Sequence, residues 1–124
     1  MSKKYITKDS GKRQNYDSGM RRDLQDNKPM FDLIIPLNQK FDHTLLYRWA
    51  MLMERGIKKY GFRNWEKANS VEELARFKSS AFRHLIQALS GEDDEDHFSA
   101  ICFNLNSIVY LMDKLGVDAN GKKV

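Results

Sequence analysis

The sequence has one cysteine, two prolines and no long apolar run among its 124 residues. A single cysteine excludes an intrachain disulfide, and this fits a reducing compartment. A membrane-spanning helix needs about 18 or more consecutive apolar residues, which the sequence lacks. The N-terminus is basic but has no apolar segment of the kind found in secretory signals. We therefore expect a cytoplasmic protein made of one small domain.

The sequence is also not dominated by charges of one sign, although its formal net charge is +4. Residues 1–28 contain eight basic and four acidic residues, whereas Glu92–Asp96 is a run of five carboxylates. A surface that coats nucleic acid is expected to be basic throughout. The acidic run would repel a duplex, so nucleic-acid binding is the weaker hypothesis. It stays open as the alternative, a non-enzymatic helical protein that binds phosphates through its basic segments.

Hydrophobic periodicity predicts an all-α fold, a small bundle of three to four main helices with an irregular basic N-terminal extension. The first helix is expected over residues 41–59, with Asp42 as its N-cap and Gly61 as its stop. Residues 31–36 are apolar but contain Pro36, which disfavours a central strand. We expect a short helix or turn there.

Two further helices are expected after this one. The second begins at a capping box, in which Ser70 is the cap and Glu73 lies three residues later. It ends at Gly91 or just after it. The third begins within residues 93–96, where acidic side chains suit a helix N-terminus, and ends at Gly116. The expected organisation is therefore an arm over 1–30, a helical domain over 31–116 and a frayed tail over 117–124.

The acidic run is the sharpest chemical feature of the sequence. Five adjacent carboxylates repel one another unless cations compensate, and Mg²⁺ or Mn²⁺ prefer such oxygen ligands. If the second helix continues to Glu92, this residue shares a face with His84. The third helix would likewise align Asp96 with Asn104, so that two antiparallel helices bring the four together. A solvated turn with capping acids is the simpler alternative.

A second feature is the segment 56–65, which mixes bases, aromatic residues and an amide between glycines. Lys59 and Arg63 are suited to phosphate oxygens, and Tyr60 or Trp65 could stack on a base. The alternative is a basic helix C-terminus that interacts with the helix dipole, with Trp65 filling the core.

The pair Arg83-His84 and Cys102 complete the candidates. A lone histidine on a half-apolar helix face is more often structural, but an arginine–histidine pair close to five carboxylates points to a site. Cys102 lies beside the apolar stripe of the third helix, and we expect it to be a core residue and not a nucleophile.

These residues, taken in order, resemble a known family. The resemblance covers roughly residues 18–112, and its segments are Ser18–Asp23, Lys28–Ile34, Lys59–Lys67, Arg83–Leu85 and Gly91–Glu92, followed by the carboxylates, His97 and Asn104. The sequence is similar to the phage dATP/dGTP diphosphohydrolases, which belong with the MazG-like all-α nucleoside triphosphate pyrophosphohydrolases.

The resemblance implies an activity. It is the hydrolysis of a deoxynucleoside triphosphate, with a dATP- or dGTP-like purine nucleotide favoured, to the monophosphate and pyrophosphate with Mg²⁺ or Mn²⁺. It also implies a homo-oligomer, a dimer or a tetramer, located in the host cytoplasm if a phage encodes it.

The resemblance also implies residue roles. The expected metal ligands are Glu92 and Asp96, with Asp93 and Glu95 as near alternatives, and the expected catalytic residues are Glu92, Asp96 and His84. Phosphate contacts fall to Lys59, Arg63 and Arg83, and the basic residues of the N-terminal motif, Arg22 and Lys28, fold over the ligand. The residues that shape the nucleotide pocket are Tyr60, Asn64, Trp65 and Asn104.

Overall fold

The computed structural model describes residues 4–124, so the first three positions of the expected arm lie outside the described residues. The chain divides into two units, Met1–Leu33 and Ile34–Val124.

The first unit contains a small antiparallel hairpin, so the expectation of an irregular extension on an all-α chain is corrected here. Its strands are β1 (Arg13–Asn15) and β2 (Arg21–Asp23). The turn closes where the Tyr16 carbonyl accepts a hydrogen bond from the Gly19 N–H at 2.9 Å. Gly19 has φ +88°, a conformation that glycine adopts without a steric penalty. Sequence periodicity cannot detect strands of three residues, because one alternation is too short to register.

The second unit is helical, as predicted. Its three main helices are α1 (Leu45–Tyr60), α2 (Val71–Leu89) and α3 (His97–Leu115). Short 3-10 segments, one of them spanning the unit boundary, lie at Phe31–Ile34, Phe41–His43 and Asn64–Lys67. The first of these is the short helix expected before Pro36. Within residues 4–124, no helix is both long and apolar enough to cross a bilayer.

The helix ends follow local sequence signals, with one correction. The N-cap of α1 is Thr44, whose Oγ1 accepts from the Tyr47 N–H at 3.2 Å. The proposed cap, Asp42, lies in the preceding 3-10 turn, because the chain becomes α-helical only after Thr44. At α2 the expected capping box is present: Ser70 Oγ accepts from the Glu73 N–H, and the Glu73 carboxylate accepts from Ser70 Oγ at 2.7 Å.

Helix α3 is the centre of the second unit, since both α1 and α2 pack against it. The buried core lies towards the C-terminal end of α3, around Leu74 and Leu111. Side chains that complete this core are Ala68, Phe77, Ile108, Met112, Leu115 and Val117. The opposite end of α3 is thereby left to carry polar groups, and the candidate residues are found there.

The C-terminal tail differs from the frayed segment that we expected. The Asp118 carboxylate accepts hydrogen bonds from the backbone N–H groups of Asn120 and Lys122 at 2.9 and 3.0 Å. The Val124 N–H then donates to the carbonyl of Gly116. An aspartate that satisfies its own turn holds the segment in place, a local interaction that apolar periodicity does not reveal.

Candidate functional site

The five carboxylates Glu92–Asp96, called the acidic turn below, connect α2 to α3. Helix α2 ends at Leu89, and Gly91 takes φ +83° immediately afterwards. The expected alignment of Glu92 with His84 on one helix face is therefore wrong, because the chain leaves the helix before Glu92. The start of α3 is as predicted, since Asp96 caps it by accepting from the Ser99 N–H at 3.2 Å.

Asp96 has a second partner that ties the acidic turn to α1. Arg48 donates through Nε to one carboxylate oxygen at 2.9 Å and through Nη2 to the other at 2.6 Å. Ser99 Oγ adds a hydrogen bond at 2.7 Å. The Arg48 guanidinium is the main cause that lowers the pKa of Asp96 from its ordinary value of 3.8 to about 2. Asp96 is thus an ionised structural anchor with both oxygens engaged.

Two buried histidines lie between α2 and α3. His84 is 7% exposed and His97 is 2% exposed, and their Nδ1 atoms are 2.8 Å apart. His84 Nε2 is 3.3 Å from Nη2 of Arg83, while His97 Nε2 is 2.8 Å from Oδ1 of Asp94. A continuous chain of contacts therefore joins an arginine on α2 to a carboxylate of the acidic turn.

The protonation of this chain follows from its surroundings. Burial, with a smaller contribution from the Arg83 charge, lowers the pKa of His84 below its ordinary value. The hydrogen bond from His97 is the main cause that lowers the pKa of Asp94. At neutral pH the structure therefore places a neutral imidazole at His84 and a carboxylate at Asp94.

A cavity of about 600 Å³ opens beside the acidic turn. Its walls come from the C-terminal half of α1, the loop that follows it, α2, the acidic turn and α3. Its charged lining residues are the carboxylates Asp94, Glu95 and Asp96 and the arginines Arg55 and Arg63. Its other polar and aromatic residues are Tyr60, Phe62, Asn64, Trp65, Ser80, His84, Phe103 and Asn104. A volume of this size is within the range of small-molecule sites.

The loop after α1 is shaped by Arg63, whose φ of +55° is left-handed. Its guanidinium pairs with Glu66 at 2.7 Å, and Arg63 lines the cavity. Trp65 packs edge-on against Tyr110 of α3, with ring centroids 5.2 Å apart. Trp65 is half-buried, and the same residue also lines the cavity.

The structure brings most of the predicted site residues to this cavity. The predicted residues that line it are Tyr60, Arg63, Asn64, Trp65, His84, Glu95, Asp96 and Asn104. Four predicted residues of the second unit are not among its lining residues: Lys59, Arg83, Glu92 and Asp93. Lys59 lies over the ring of Tyr60, with Nζ 5.0 Å from the ring centroid. A hydrogen bond with the Tyr60 side chain is the main cause that raises the pKa of Lys59.

Candidate metal-ligand atoms form two groups among residues 4–124. One consists of Glu92, Asp94 and His97, and the other of His84, Glu95 and His97, with the ligand atoms of each group within 4.8 Å of one another. Of the four predicted ligands, Glu92 and Glu95 belong to these groups. Asp93 and Asp96 belong to neither.

Three residues of the site were missed from the sequence. Asp94 and His97 are separated by three positions at a helix N-terminus, a spacing that could have linked them. Arg48 gave no signal, because its partner Asp96 is 48 positions away and only packing of α1 on α3 brings them together.

The remaining predicted residues, Arg22 and Lys28, lie in the first unit. Arg22 is paired with Gln14 across the hairpin. Lys28 Nζ lies 3.6 Å from the carboxylate of Asp23. Both side chains are exposed on their own unit.

The comparison with protein families supplies the assignment. Residues 18–120 match the family model described as dATP/dGTP diphosphohydrolase, N-terminal. The chain belongs to this family. The match includes the hairpin strand β2, all three helices and every residue of the cavity wall. No curated protein and no solved structure matched the chain.

Membership of the diphosphohydrolase family confirms the resemblance seen in the sequence. The family's description names an enzyme that hydrolyses acid anhydrides, which is the reaction class expected above. Cys102 is partly buried in α3, and burial raises the pKa of its thiol. Its protonated form suits the core role predicted for it.

Proposed function

We propose that this diphosphohydrolase-family protein hydrolyses a deoxynucleoside triphosphate, with a dATP- or dGTP-like purine favoured, to the monophosphate and pyrophosphate. The observation that carries the proposal is the cavity, whose lining combines three carboxylates with arginines and aromatic rings. A triphosphate needs cations around its oxygens, and a base needs an apolar or aromatic surface. The cavity supplies both within one volume of about 600 Å³.

The donor set of the acidic turn fits Mg²⁺ or Mn²⁺. Glu92 and Asp94 offer carboxylate oxygens within 4.8 Å of each other, and both side chains are exposed to solvent. Glu95 adds a carboxylate at the cavity wall. When bound there, a divalent ion would neutralise phosphate charge and activate water. We assign the ion to these oxygens and give Asp96 the anchoring role, since Arg48 and Ser99 already engage its carboxylate.

The chain's own residues account for binding and orientation. Arg63 and Arg55 line the cavity and are placed to hold phosphate oxygens, with Lys59 adding charge at the helix end. Tyr60 and Phe62 present exposed aromatic surface to a base. Asn64 and Asn104 supply amides that can hydrogen-bond the nucleotide.

The reaction itself is a displacement at phosphorus. A water oxygen forms a bond to the α-phosphorus, the bond from this phosphorus to the α–β bridging oxygen breaks, and pyrophosphate leaves. The proton released by water passes to a base or to solvent. Positioning and charge neutralisation carry most of the catalysis in such reactions, and the charged residues of the cavity are suited to both.

The direct test uses the purified full chain with each of the four deoxynucleoside triphosphates and Mg²⁺ or Mn²⁺. We expect release of pyrophosphate and one monophosphate, fastest with a purine nucleotide, and no turnover in the presence of a chelator. Ion-exchange chromatography of the products distinguishes pyrophosphate from single phosphate. A folded protein that turns over no nucleotide with either metal contradicts the proposal.

We also propose that the protein forms a dimer or tetramer, as the resemblance implied. The support is an apolar stripe on α2, consisting of Phe82, Ile86 and Leu89, with exposed fractions of 67%, 54% and 75%. These positions recur at four and three residues, so they share one helix face. Contiguous apolar surface of this kind is typical of protein interfaces.

Multi-angle light scattering tests the assembly. The chain mass is 14.5 kDa, and we expect the wild-type protein to scatter as a multiple of it. Replacing Phe82 and Ile86 with serine should shift the protein towards the monomer mass. Changing exposed Leu37, which lies outside the stripe, to serine is the control and should leave the assembly intact. A monomeric wild-type protein at high concentration contradicts the proposal.

A further inference from the structure

The four side chains Arg83, His84, His97 and Asp94, called the histidine relay below, determine their own proton positions. Arg83 is always a donor, because a guanidinium keeps its protons at any physiological pH. Its Nη2 is 3.3 Å from His84 Nε2, so this nitrogen must accept. An imidazole that accepts through one nitrogen is neutral and carries its proton on the other. His84 therefore bears its proton on Nδ1.

The same reasoning continues to the carboxylate. His84 Nδ1–H donates to Nδ1 of His97 across 2.8 Å, so that nitrogen carries no proton. His97 then holds its proton on Nε2 and donates it to Asp94 Oδ1 at 2.8 Å. Each member thus donates to the next, in one direction only. A doubly protonated His97 would force His84 to accept at Nδ1 and would turn an N–H of His84 towards the N–H groups of Arg83.

This direction leaves neither histidine free to act as a base. Both ring nitrogens of His84 are engaged, and so are both ring nitrogens of His97. The two rings are also buried, whereas the Asp94 side chain at the end of the relay is 67% exposed. A buried framework therefore ends on an exposed carboxylate at the cavity wall. Such an arrangement restricts the rotation of a carboxylate that would otherwise move freely in solvent.

We infer that His97 is a positioning residue, which with His84 fixes the Asp94 carboxylate at the cavity wall for the divalent cation. This role for His97 rests on the proposed function. In this proposal His84 supports the position of Asp94 through His97, in place of the catalytic role expected of His84. His97, which had no expected role, becomes the residue that holds the Asp94 carboxylate. Arg83 accordingly acts through the relay as its first donor, in addition to any contact with phosphate.

The proton positions can be tested on the wild-type protein without substrate. Nitrogen-15 imidazole spectra at neutral pH distinguish protonated from bare ring nitrogens, and the chain has only three histidines to assign. We expect His84 to be protonated on Nδ1 alone and His97 on Nε2 alone. Exposed His43 serves as the internal reference. The opposite tautomer at either buried histidine, or a cationic ring, overturns the relay.

The positioning role is tested by two substitutions of similar size. In His97→Gln the carboxamide nitrogen reaches the position of Nε2 and can still donate to Asp94. In His97→Asn the carboxamide oxygen reaches the position of Nδ1, so the bond from His84 is kept and the bond to Asp94 is lost. We expect Mn²⁺ affinity, measured by electron paramagnetic resonance, to stay near wild type in His97→Gln. It should fall about 10- to 100-fold in His97→Asn.

Thermal unfolding of both variants separates positioning from stability. If His97 has only a structural role, the less stable of the two variants should also be the one that binds Mn²⁺ more weakly. Equal Mn²⁺ affinities in the two variants, or no Mn²⁺ binding by the wild type, overturn the positioning role. Absence of nucleotide hydrolysis with intact Mn²⁺ binding and the expected tautomers would instead refute the proposed function alone.

Discussion

Replacing Glu92 with glutamine should lower the rate of deoxynucleoside triphosphate hydrolysis by about 100-fold or more, while the protein stays folded. The substitution keeps the size of the side chain and removes one negative charge from the group formed with Asp94 and His97. Glu92 is exposed and follows the end of α2, so no buried contact is lost. Steady-state kinetics over a range of Mg²⁺ concentrations measure the effect, and the apparent metal affinity should fall with kcat.

Asp93→Asn is the matched control for this experiment. Asp93 is the neighbour of Glu92 and is also exposed, and its change to asparagine removes the same charge. It belongs to neither group of candidate ligand atoms among the described residues. We therefore expect a change of a few-fold at most, since only the general field of the acidic turn is reduced. Equal losses in the two variants would mean that overall charge, and not a defined ligand set, supports the activity.

The second large effect concerns the ion pair that joins α1 to the acidic turn. Arg48→Ala should lower the free energy of unfolding by about 1–3 kcal/mol, because it leaves the partly buried Asp96 carboxylate without its strongest donor. The pair is bidentate, and the Asp96 side chain is only 20% exposed. Because Asp96 caps α3, its displacement should also disturb the acidic turn and reduce activity. Urea denaturation followed by circular dichroism measures the stability change.

The same pair predicts a dependence of stability on pH. The pKa of Asp96 is lowered from 3.8 to about 2 in the folded protein, so its ionised form favours folding. This contribution is complete above about pH 4 and is lost as the pH falls towards 2. The difference in unfolding free energy between wild type and Arg48→Ala should therefore be constant at neutral pH and shrink below about pH 4. A difference that is unchanged at pH 2.5 would contradict the assignment.

Lys58→Ala provides the control on the same helix. Lys58 pairs with Glu54 at 3.4 Å, but the two side chains are 77% and 49% exposed. Solvent screens such a pair, so its loss should cost about 0–0.5 kcal/mol and show little pH dependence. A loss similar to that of Arg48→Ala would indicate that removal of positive charge from α1, and not the specific contact with Asp96, causes the effect.

The sequence determined those parts of the fold that depend on neighbouring residues. The Ser70 and Glu73 capping box and the glycine stops at Gly61 and Gly116 are local signals. Each satisfies backbone groups within one or two turns, and each is found where it was predicted. The ordered segments that identify the family are local in the same sense.

The local signals were insufficient where distant segments meet. The end of α2 at Leu89 placed Glu92 in a turn, although helical spacing had aligned it with His84. The Arg48–Asp96 pair and the histidine relay both join residues of different helices. No local sequence pattern marks these side chains. They come together only because the helices pack, which buries them and sets the direction of their hydrogen bonds.

The sequence by itself therefore determined the helical frame, the family and the acidic and basic segments that the proposed reaction uses. The tertiary structure alone decided which of these charged groups have partners and which face the cavity. The physical reason is that helix periodicity and capping act over a few residues, whereas ion pairing and burial depend on how α1 and α2 pack on α3. Asp96 shows the difference most clearly, because its position was predicted and its anchoring partner was not.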